Sequence, residues 1–370
     1  TLAKQDVTAG TGDYDAVMTN ITAAANLAQA GYTISMYDLP YIDLSKPWWD
    51  QGCTEDLELL GNIYFATGDI TVIDNDATWV LMFNKQLYED NGFDNIYDKV
   101  RENDWYYDDM LEMMSASALD VNGDGTYDEN DQYGAMIWDD ITMAVVNGAG
   151  IKCAEVGSDG KIALTLNTER TINALDKYIP FGRDKTQCFQ YQRHGSAADT
   201  LAIQMFSNNQ AMFFMQLMQM VPKLRDMDAD FGILPFPKYD EEQKEYHTVM
   251  SFPYSLYSVP IDARDPDMSA AVLECLASES HRTVVPALFE TGMKVKYAQD
   301  DEAAQMFDLI RASAVFDFGR VFNESMNGMT YSLFRSAVSN AKENWMSIYA
   351  SNEKALTSAL EKVVTALIGE

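Results

Sequence analysis

Short, almost wholly apolar stretches alternate along the chain with longer segments in which apolar residues recur at helical spacing. Near-continuous apolar stretches are typical of strands that are buried on both faces. The predicted strands cover residues 15–19, 62–67, 79–83, 133–138, 211–215, 231–235 and 254–259. The predicted helices cover residues 21–30, 84–88, 105–119, 141–147, 168–178, 199–207, 217–226 and 268–277, together with most of the last ~70 residues. This alternation predicts an α/β architecture.

Length and charge narrow the classes of function. A chain of 370 residues is too long for one hydrophobic core and predicts about two domains. The formal charge of -31 would repel a phosphate backbone or an anionic membrane surface, so we expect no nucleic-acid binding. No apolar run approaches the ~20 residues that a membrane-spanning helix needs. We therefore expect a well-solvated protein, and a monomer.

The four cysteines carry little information about compartment. Cys53, Cys153, Cys188 and Cys275 form no C-x-x-C pair, which removes the usual zinc and redox motifs. Sequence cannot choose among the three connectivities that four cysteines allow. We expect all four to be free, since free cysteine packs as a small buried hydrophobe.

An acidic loop at residues 120–131 is the strongest chemical signal. Oxygen-bearing side chains fall at loop positions one, three, five, nine and twelve, and Gly125 at position six permits a sharp turn. This spacing wraps six to eight oxygens around one Ca²⁺ ion, as in EF-hand-type loops. The predicted ligands are Asp120, Asn122, Asp124, Thr126 through its carbonyl, Asp128, and Glu129 or Asp131. Position twelve is Asp rather than Glu, so the choice between the last two stays open. The alternative is a solvated Asp/Asn/Gly turn; if calcium binds, we expect its role to be structural.

The order of several short motifs resembles one family over nearly the whole chain. These are residues 9–17 (AGTGDYDAV), 39–49 (LPYIDLSKPWW), 64–70 (YFATGDI), 83–85, the acidic loop running into 131–134 (DQYG), 230–239 (DFGILPFPKY), 294–297 and 316–319. The chain resembles extracellular solute-binding proteins of family 1, the maltose-binding-protein-like components of carbohydrate ABC importers. Single motifs are weak, but their order is specific.

The resemblance implies a periplasmic-binding-protein-like fold of type II. Two α/β lobes would be joined by a hinge, and the ligand would lie in the cleft between them. Residues 1–82 and 260–296 are assigned to lobe one, and residues 83–259 and 297–370, with the calcium loop, to lobe two. The implied function is capture of a sugar or oligosaccharide by hinge closure and its delivery to the ABC permease. No catalytic group is needed.

The resemblance also implies an extracellular location. We expect a cell-surface lipoprotein of a Gram-positive-type bacterium, with its anchor outside this chain. Family members usually begin with a further strand and helix ahead of Ala9, and we expect that lobe one lacks them here.

Candidate sugar contacts follow predicted strand ends, where open α/β sheets place their ligand loops. They are Asn20, Asp69, Trp138, Gln216, Met218, Tyr254 and Tyr331; by resemblance, contacts lie near Asn20 and in the loop at 216–218, and an aromatic platform at Tyr331. Four of them have a structural alternative: a helix cap for Asn20, a turn for Asp69, and core packing for Trp138 and for the methionine run that includes Met218. Trp48 and Trp49 are interpreted as packing residues.

Two other functions stay open. A glycoside hydrolase would need two carboxyl groups across the scissile bond, one with a raised pKa, and no local motif identifies such a pair. A calcium-stabilised adhesion module would have repeated domains, and no repeat is visible in the sequence.

Overall fold

The computed structural model describes residues 2–157, 159–224, 226–288, 301–339 and 344–369. The strands are β1 Val17–Asn20, β2 Trp79–Asn84, β3 Tyr133–Ile137, β4 Ala154–Val156, β5 Ile162–Leu164, β6 Cys188–Gln190, β7 Ala211–Leu217, β8 Phe231–Leu234, β9 Thr248–Val249, β10 Ser255–Ser258 and β11 Ala314–Val315.

The α-helices are α1 Leu2–Ala9, α2 Ile21–Gln29, α3 Gln51–Leu57, α4 Ile73–Asp76, α5 Lys85–Asp90, α6 Ile96–Arg101, α7 Tyr107–Ser117, α8 Ile141–Gly148, α9 Glu169–Arg183, α10 Ala198–Ser207, α11 Pro266–Arg282, α12 Val284–Pro286, α13 Asp301–Ala312, α14 Phe318–Val321, α15 Phe334–Ser339 and α16 Trp345–Ile368. Short 3₁₀ segments cover Met36–Asp38, Tyr191–Ala197 and Met218–Leu224, and a π-helical turn covers Met329–Leu333. Within the described ranges, no helix is both long and apolar enough to cross a membrane.

A five-stranded sheet forms one half of the molecule. Its strand order is β6-β3-β7-β2-β8, with β3 parallel to β6 and β7, and β2 antiparallel to β7 and β8. Alternate residues of β2 pack into different apolar clusters: Val80 and Met82 on one face, Leu81 and Phe83 on the other. Both faces are therefore buried, which confirms the prediction drawn from the near-continuous apolar runs.

The other half is built on the antiparallel pair β1–β10, against which α2 packs. Residues 62–67 form no continuous strand there, contrary to the prediction. Their backbone is held by isolated bridges, Leu59 to Asn62 and Ala66 to Tyr257. The Ala66 bridge fixes the loop that leads to Gly68 beside β10. This loop forms one wall of the site described below.

The predicted lobe boundaries stay a prediction, but they can be compared with the pairing of the strands. A boundary between residues 82 and 83 falls inside β2, and one between 259 and 260 separates β10 from its partner β1. Crossings placed before Trp79 and before Ser255 would leave both sheets intact. The third predicted boundary, between residues 296 and 297, lies outside the described residues.

Candidate functional site

A cavity of about 460 Å³ lies where the two halves of the molecule face each other. From the β1–β10 half, its wall is formed by the 47–52 loop and by Gly68, Asp69, Thr71 and Asp74. From the five-stranded half come Met218, directly after β7, and Phe307, Ile310 and Arg311 of α13, a helix that packs against β8. The wall thus combines an aromatic ring, apolar side chains and several charges, the mixture that small-molecule clefts typically present.

Asp69 joins the two halves at this cavity. Its carboxylate forms an ion pair with Arg311 of α13 and also contacts Nδ1 of His281, on α11. The Asp69 side chain is only 8% exposed, whereas that of Arg311 is 42% exposed. A buried carboxylate is stable when it is paired in this way, so the contact favours the arrangement in which the halves lie close together.

Two tryptophans next to each other have different environments. Trp49 is buried in the core, and Trp48 is half-buried, packs near the His281 ring at 6.3 Å between centroids, and borders the cavity. Glu274 of α11 fixes both indoles: it accepts a hydrogen bond from Trp48 Nε1 at 3.0 Å and from Trp49 Nε1 at 2.8 Å. The backbone N–H of Asp43 donates to the same carboxylate at 3.3 Å. Glu274 therefore sets the position of the aromatic wall.

Asp50 and Asp74 also line the cavity. The Asp50 side chain caps α3 by accepting from Cys53 N at 2.9 Å, and Asp74 accepts from Thr67 Oγ1 at 2.6 Å and from Ser255 N at 3.0 Å. Burial, which disfavours the charged form, raises the pKa of Asp50 to about 6 and that of Asp74 to about 6. Both carboxyl groups therefore bind protons more readily than ordinary surface carboxylates do.

Of the seven predicted contact residues, Asp69 and Met218 line the cavity. Asn20 caps α2, accepting from Ala23 N at 3.0 Å, and borders a separate surface depression. Its position agrees with the helix-cap alternative. The side chain of Tyr331 lies outside the described residues, and its backbone belongs to the π-helical turn.

The other three predicted contacts have partners within the protein. Trp138 packs edge-on against Tyr191 at 5.4 Å between ring centroids. Gln216 is buried in β7 and donates from Nε2 to the hydroxyl of the same tyrosine at 2.6 Å. Tyr254 is 2% exposed and packs edge-on against Phe316. Strand ends alone therefore did not identify the side chains that face the cavity.

The residues that sequence reasoning missed depend on distant contacts. The Pro-Trp-Trp triplet at residues 47–49 drew attention to Trp48, but the sequence analysis interpreted Trp48 as a packing residue. Nothing in the sequence around Arg311, His281 or Glu274 distinguishes them from other polar residues of amphipathic helices. Their roles arise because α11 and α13 bring them to residues more than 200 positions away.

The acidic loop is compact and held by its own backbone. Asp120 accepts from Gly123 N at 2.7 Å and from Gly125 N at 2.8 Å, and Gly125 has the predicted left-handed conformation with φ 81°. Asp131 is fully buried and accepts from Val121 N and Asp128 N, each at 2.9 Å.

The acidic side chains of this loop point to backbone amides rather than to a shared centre. In the part of the chain that the structure describes, no three His, Cys, Asp or Glu side chains converge as a metal site would require.

No protein-family model matches the sequence, and no curated protein matches it. Many solved structures are nevertheless similar along the whole chain. An ABC substrate-binding protein from Listeria monocytogenes, in complex with cycloalternan, has a TM-score of 0.58 at 14% identity, with 99% of this chain and 87% of that chain covered. The maltose/maltodextrin-binding domain MalE from Bdellovibrio bacteriovorus, bound to maltotriose, has a TM-score of 0.59 at 13% identity, with 98% and 88% covered. A sugar transporter from Rhizobium etli in an open conformation has a TM-score of 0.60 at 15% identity, with 99% and 88% covered.

These similarities confirm the predicted fold. The chain has the periplasmic-binding-protein-like architecture of two α/β lobes with a cleft between them. The cavity that contains Trp48, Asp69 and Arg311 lies in this cleft. At 13 to 15% identity the likeness establishes the fold alone.

Proposed function

We propose that this protein is the extracellular substrate-binding component of an ABC importer. It captures a sugar or oligosaccharide in the cleft, closes around it by hinge motion, and delivers it to the permease. The observation that carries the proposal is the cavity itself, which Trp48 lines together with carboxylates from both halves. An indole face stacks on the C–H surface of a sugar, and carboxylates accept hydrogen bonds from its hydroxyls. The protein works as a monomer.

Hinge closure has a physical basis in the same site. The Asp69–Arg311 ion pair connects residues of opposite halves and lies in the cavity wall. A ligand that contacts both halves binds the closed arrangement better than the open one and so shifts the population toward it. Two of the similar proteins named above are a substrate-binding protein and a maltose/maltodextrin-binding domain, and the third is a sugar transporter in an open conformation.

A thermal-shift screen against a panel of neutral, amino and acidic saccharides tests the proposal. We expect at least one saccharide to raise the melting temperature, and the increase to vanish in Trp48→Ala. Trp138→Ala is the matched control, because Trp138 is also half-buried but does not border the cavity. If the increase disappears in Trp138→Ala and persists in Trp48→Ala, the sugar does not bind in the cavity that Trp48 borders. If no saccharide raises the melting temperature, the proposed sugar-binding function is wrong.

One observation favours a second candidate, a glycoside hydrolase. Asp50 and Asp74 border the same cavity, and the pKa of each is raised to about 6, as a general acid requires. Their oxygens are, however, occupied by a helix cap and by Thr67 and Ser255. Release of sugar products at ordinary enzyme rates, lost in Asp74→Asn, would establish the hydrolase and contradict the transport function.

We further propose that the acidic loop binds one structural Ca²⁺ ion. The ligands would be the side chains of Asp120, Asn122, Asp124 and Asp128, the carbonyl of Thr126, and Glu129 or Asp131. Support comes from the donor chemistry: all of these are oxygen ligands, which calcium prefers. Asp131 is buried with only N–H partners, so a cation nearby would compensate its charge. Binding requires the side chains to turn from backbone amides toward a common point; isothermal titration with Ca²⁺ on chelator-treated protein would detect it.

A further inference from the structure

The charged groups of the cavity wall are strongly unbalanced. Among the residues that the structure describes, the titratable groups of this wall are the carboxyl groups of Asp50, Asp69, Asp74 and Asp308 and the guanidinium of Arg311. The positive charge is already engaged, because Arg311 pairs with Asp69. Asp50 and Asp74 add negative charge to the cavity, and low-dielectric walls strengthen the resulting potential.

Among the described residues, the hydrogen-bond partners of the Asp50 and Asp74 carboxylates are neutral donors. Within the described residues, no Lys, Arg or His lies at ion-pair distance from either carboxylate. Asp50 is held by Cys53 N, and Asp74 by a hydroxyl and a backbone N–H. Thr67 connects the two sites, since its carbonyl accepts from Asp50 N at 3.0 Å and its hydroxyl donates to Asp74. The two carboxylates are therefore neighbours on one side of the cavity.

This arrangement is unfavourable without a ligand. Each charge loses hydration without forming an ion pair, and burial raises the pKa of both groups. The Asp50 carboxylate raises the pKa of Asp74 further, and the charge of Arg311 offsets the shift at Asp50 only in part. A neutral saccharide would offer hydroxyl donors but no charge, and an acidic saccharide would add repulsion. A protonated amine would supply both the missing charge and its hydrogen bonds.

We infer that, if the cleft binds a saccharide as proposed above, its ligand is a cationic saccharide whose protonated amine is neutralised by Asp50 and Asp74. The sugar ring lies against Trp48, which borders the cavity beside Asp50. The net charge of -31 acts in the same direction, because it attracts cations to the protein as a whole.

Calorimetric titration with matched saccharides tests the inference. The probes are glucosamine against glucose, galactosamine against galactose, and the glucosamine trimer against cellotriose, each at neutral pH. We expect the amino member of at least one pair to bind at least about tenfold more tightly, since two opposite charges at contact distance attract strongly in a partly buried site. N-acetylation of the amine should remove this advantage.

Asp50→Asn identifies the source of the preference. Asn caps helices as well as Asp does, so this variant should fold and keep α3 intact. We expect it to lose most of the amino preference, whereas Asp176→Asn, an exposed acid on α9 outside the cavity wall, should keep it. Asp74→Asn provides a second test of the same charge.

The possible results separate this inference from the proposed function. Neutral sugars that bind as tightly as their amino partners, or more tightly, would overturn the cationic ligand and leave the sugar-binding function standing. An amino preference that survives in both Asp50→Asn and Asp74→Asn would overturn the role of these carboxylates. Absence of binding by every saccharide would overturn both proposals.

Discussion

Replacing Glu274 by alanine should destabilise the fold and displace the aromatic wall of the cleft. The carboxylate accepts from Trp48 Nε1 at 3.0 Å, from Trp49 Nε1 at 2.8 Å and from Asp43 N at 3.3 Å. A hydrogen bond to a charged acceptor contributes about 1.5 to 3 kcal/mol, and a buried N–H without a partner costs about 1 to 3 kcal/mol. Because Glu274 is partly exposed and Trp49 is buried, we expect Glu274→Ala to lower the free energy of unfolding by about 2 to 4 kcal/mol.

Urea unfolding followed by circular dichroism measures this loss, and indole fluorescence reports on the two tryptophans. Glu274→Gln keeps one carbonyl oxygen as acceptor, so it should lose only about half as much. Glu279→Ala is the matched control: this residue lies on the same helix, is exposed, and forms a surface ion pair with Arg282 one turn later, so its loss should stay within about 0.5 kcal/mol. If Glu274→Ala were as stable as Glu279→Ala and bound sugar as wild type does, Glu274 would not position the wall.

Three further predictions follow from the charges of the cleft and of the acidic loop. Burial raises the pKa of Asp50 from 3.8 to about 6, so the contribution of this group to stability is complete below about pH 3.8 and is lost as pH rises through 6. Asp50→Asn should avoid that loss, so its free energy of unfolding should exceed that of wild type by up to about 3 kcal/mol as the pH rises from 4 to 7.5; an equal pH dependence of both proteins in urea unfolding would contradict this. Arg311→Gln removes the guanidinium partner of the Asp69 carboxylate, which is 8% exposed, and leaves it in contact with His281. We expect the free energy of unfolding to fall by about 1 to 2 kcal/mol, against less than about 0.5 kcal/mol for Arg282→Gln on the exposed surface. Equal losses in the two variants would contradict a stabilising role of the Asp69–Arg311 ion pair. Excess Ca²⁺ over chelator should raise the melting temperature, by a stabilisation of about 1 to 3 kcal/mol, in wild type but not in Asp124→Ala, and a melting temperature indifferent to chelator would exclude the calcium site.

The sequence predicted the central sheet well, because burial on both faces leaves a near-continuous apolar run. The prediction of strands was less accurate where side chains are buried but the backbone is not paired with a neighbouring strand. In residues 62–67, Ile63 and Phe65 are buried and alternate with half-buried Tyr64, yet their backbone pairs with other strands only through isolated bridges. Apolar alternation reports which side chains are buried and not whether a neighbouring strand is present.

A second difference lies after β7. The apolar residues at 217–226 predict an α-helix, but the structure has the 3₁₀ segment Met218–Leu224. Pro222 has no backbone N–H and cannot extend an α-helix beyond its first turn, which accounts for the tighter and shorter form.

The site could be predicted only in part, because its geometry depends on long-range partners. Trp48 and Trp49 are adjacent and chemically identical, and both contribute to the cavity wall, yet Trp48 is half-buried whereas Trp49 is buried in the core. Both indoles are held by Glu274, which lies 226 and 225 residues further along the chain from them. Trp138, in contrast, follows a strand as predicted but packs on Tyr191 instead.

The acids of the cleft show why residue type alone did not rank the candidates. The chain has 57 acidic residues, and their roles differ by the partners that the fold supplies. Asp69 forms an ion pair with the guanidinium of Arg311, so removal of that cation destabilises the fold by leaving a buried carboxylate without its guanidinium partner. Glu274 has three N–H donors and stabilises the residues that hold them. Asp50 has neutral donors and a raised pKa, so neutralising it should stabilise the empty protein while weakening its hold on a cationic ligand. Opposite effects of one substitution on stability and on affinity are the expected property of a charge that is retained for binding rather than for folding.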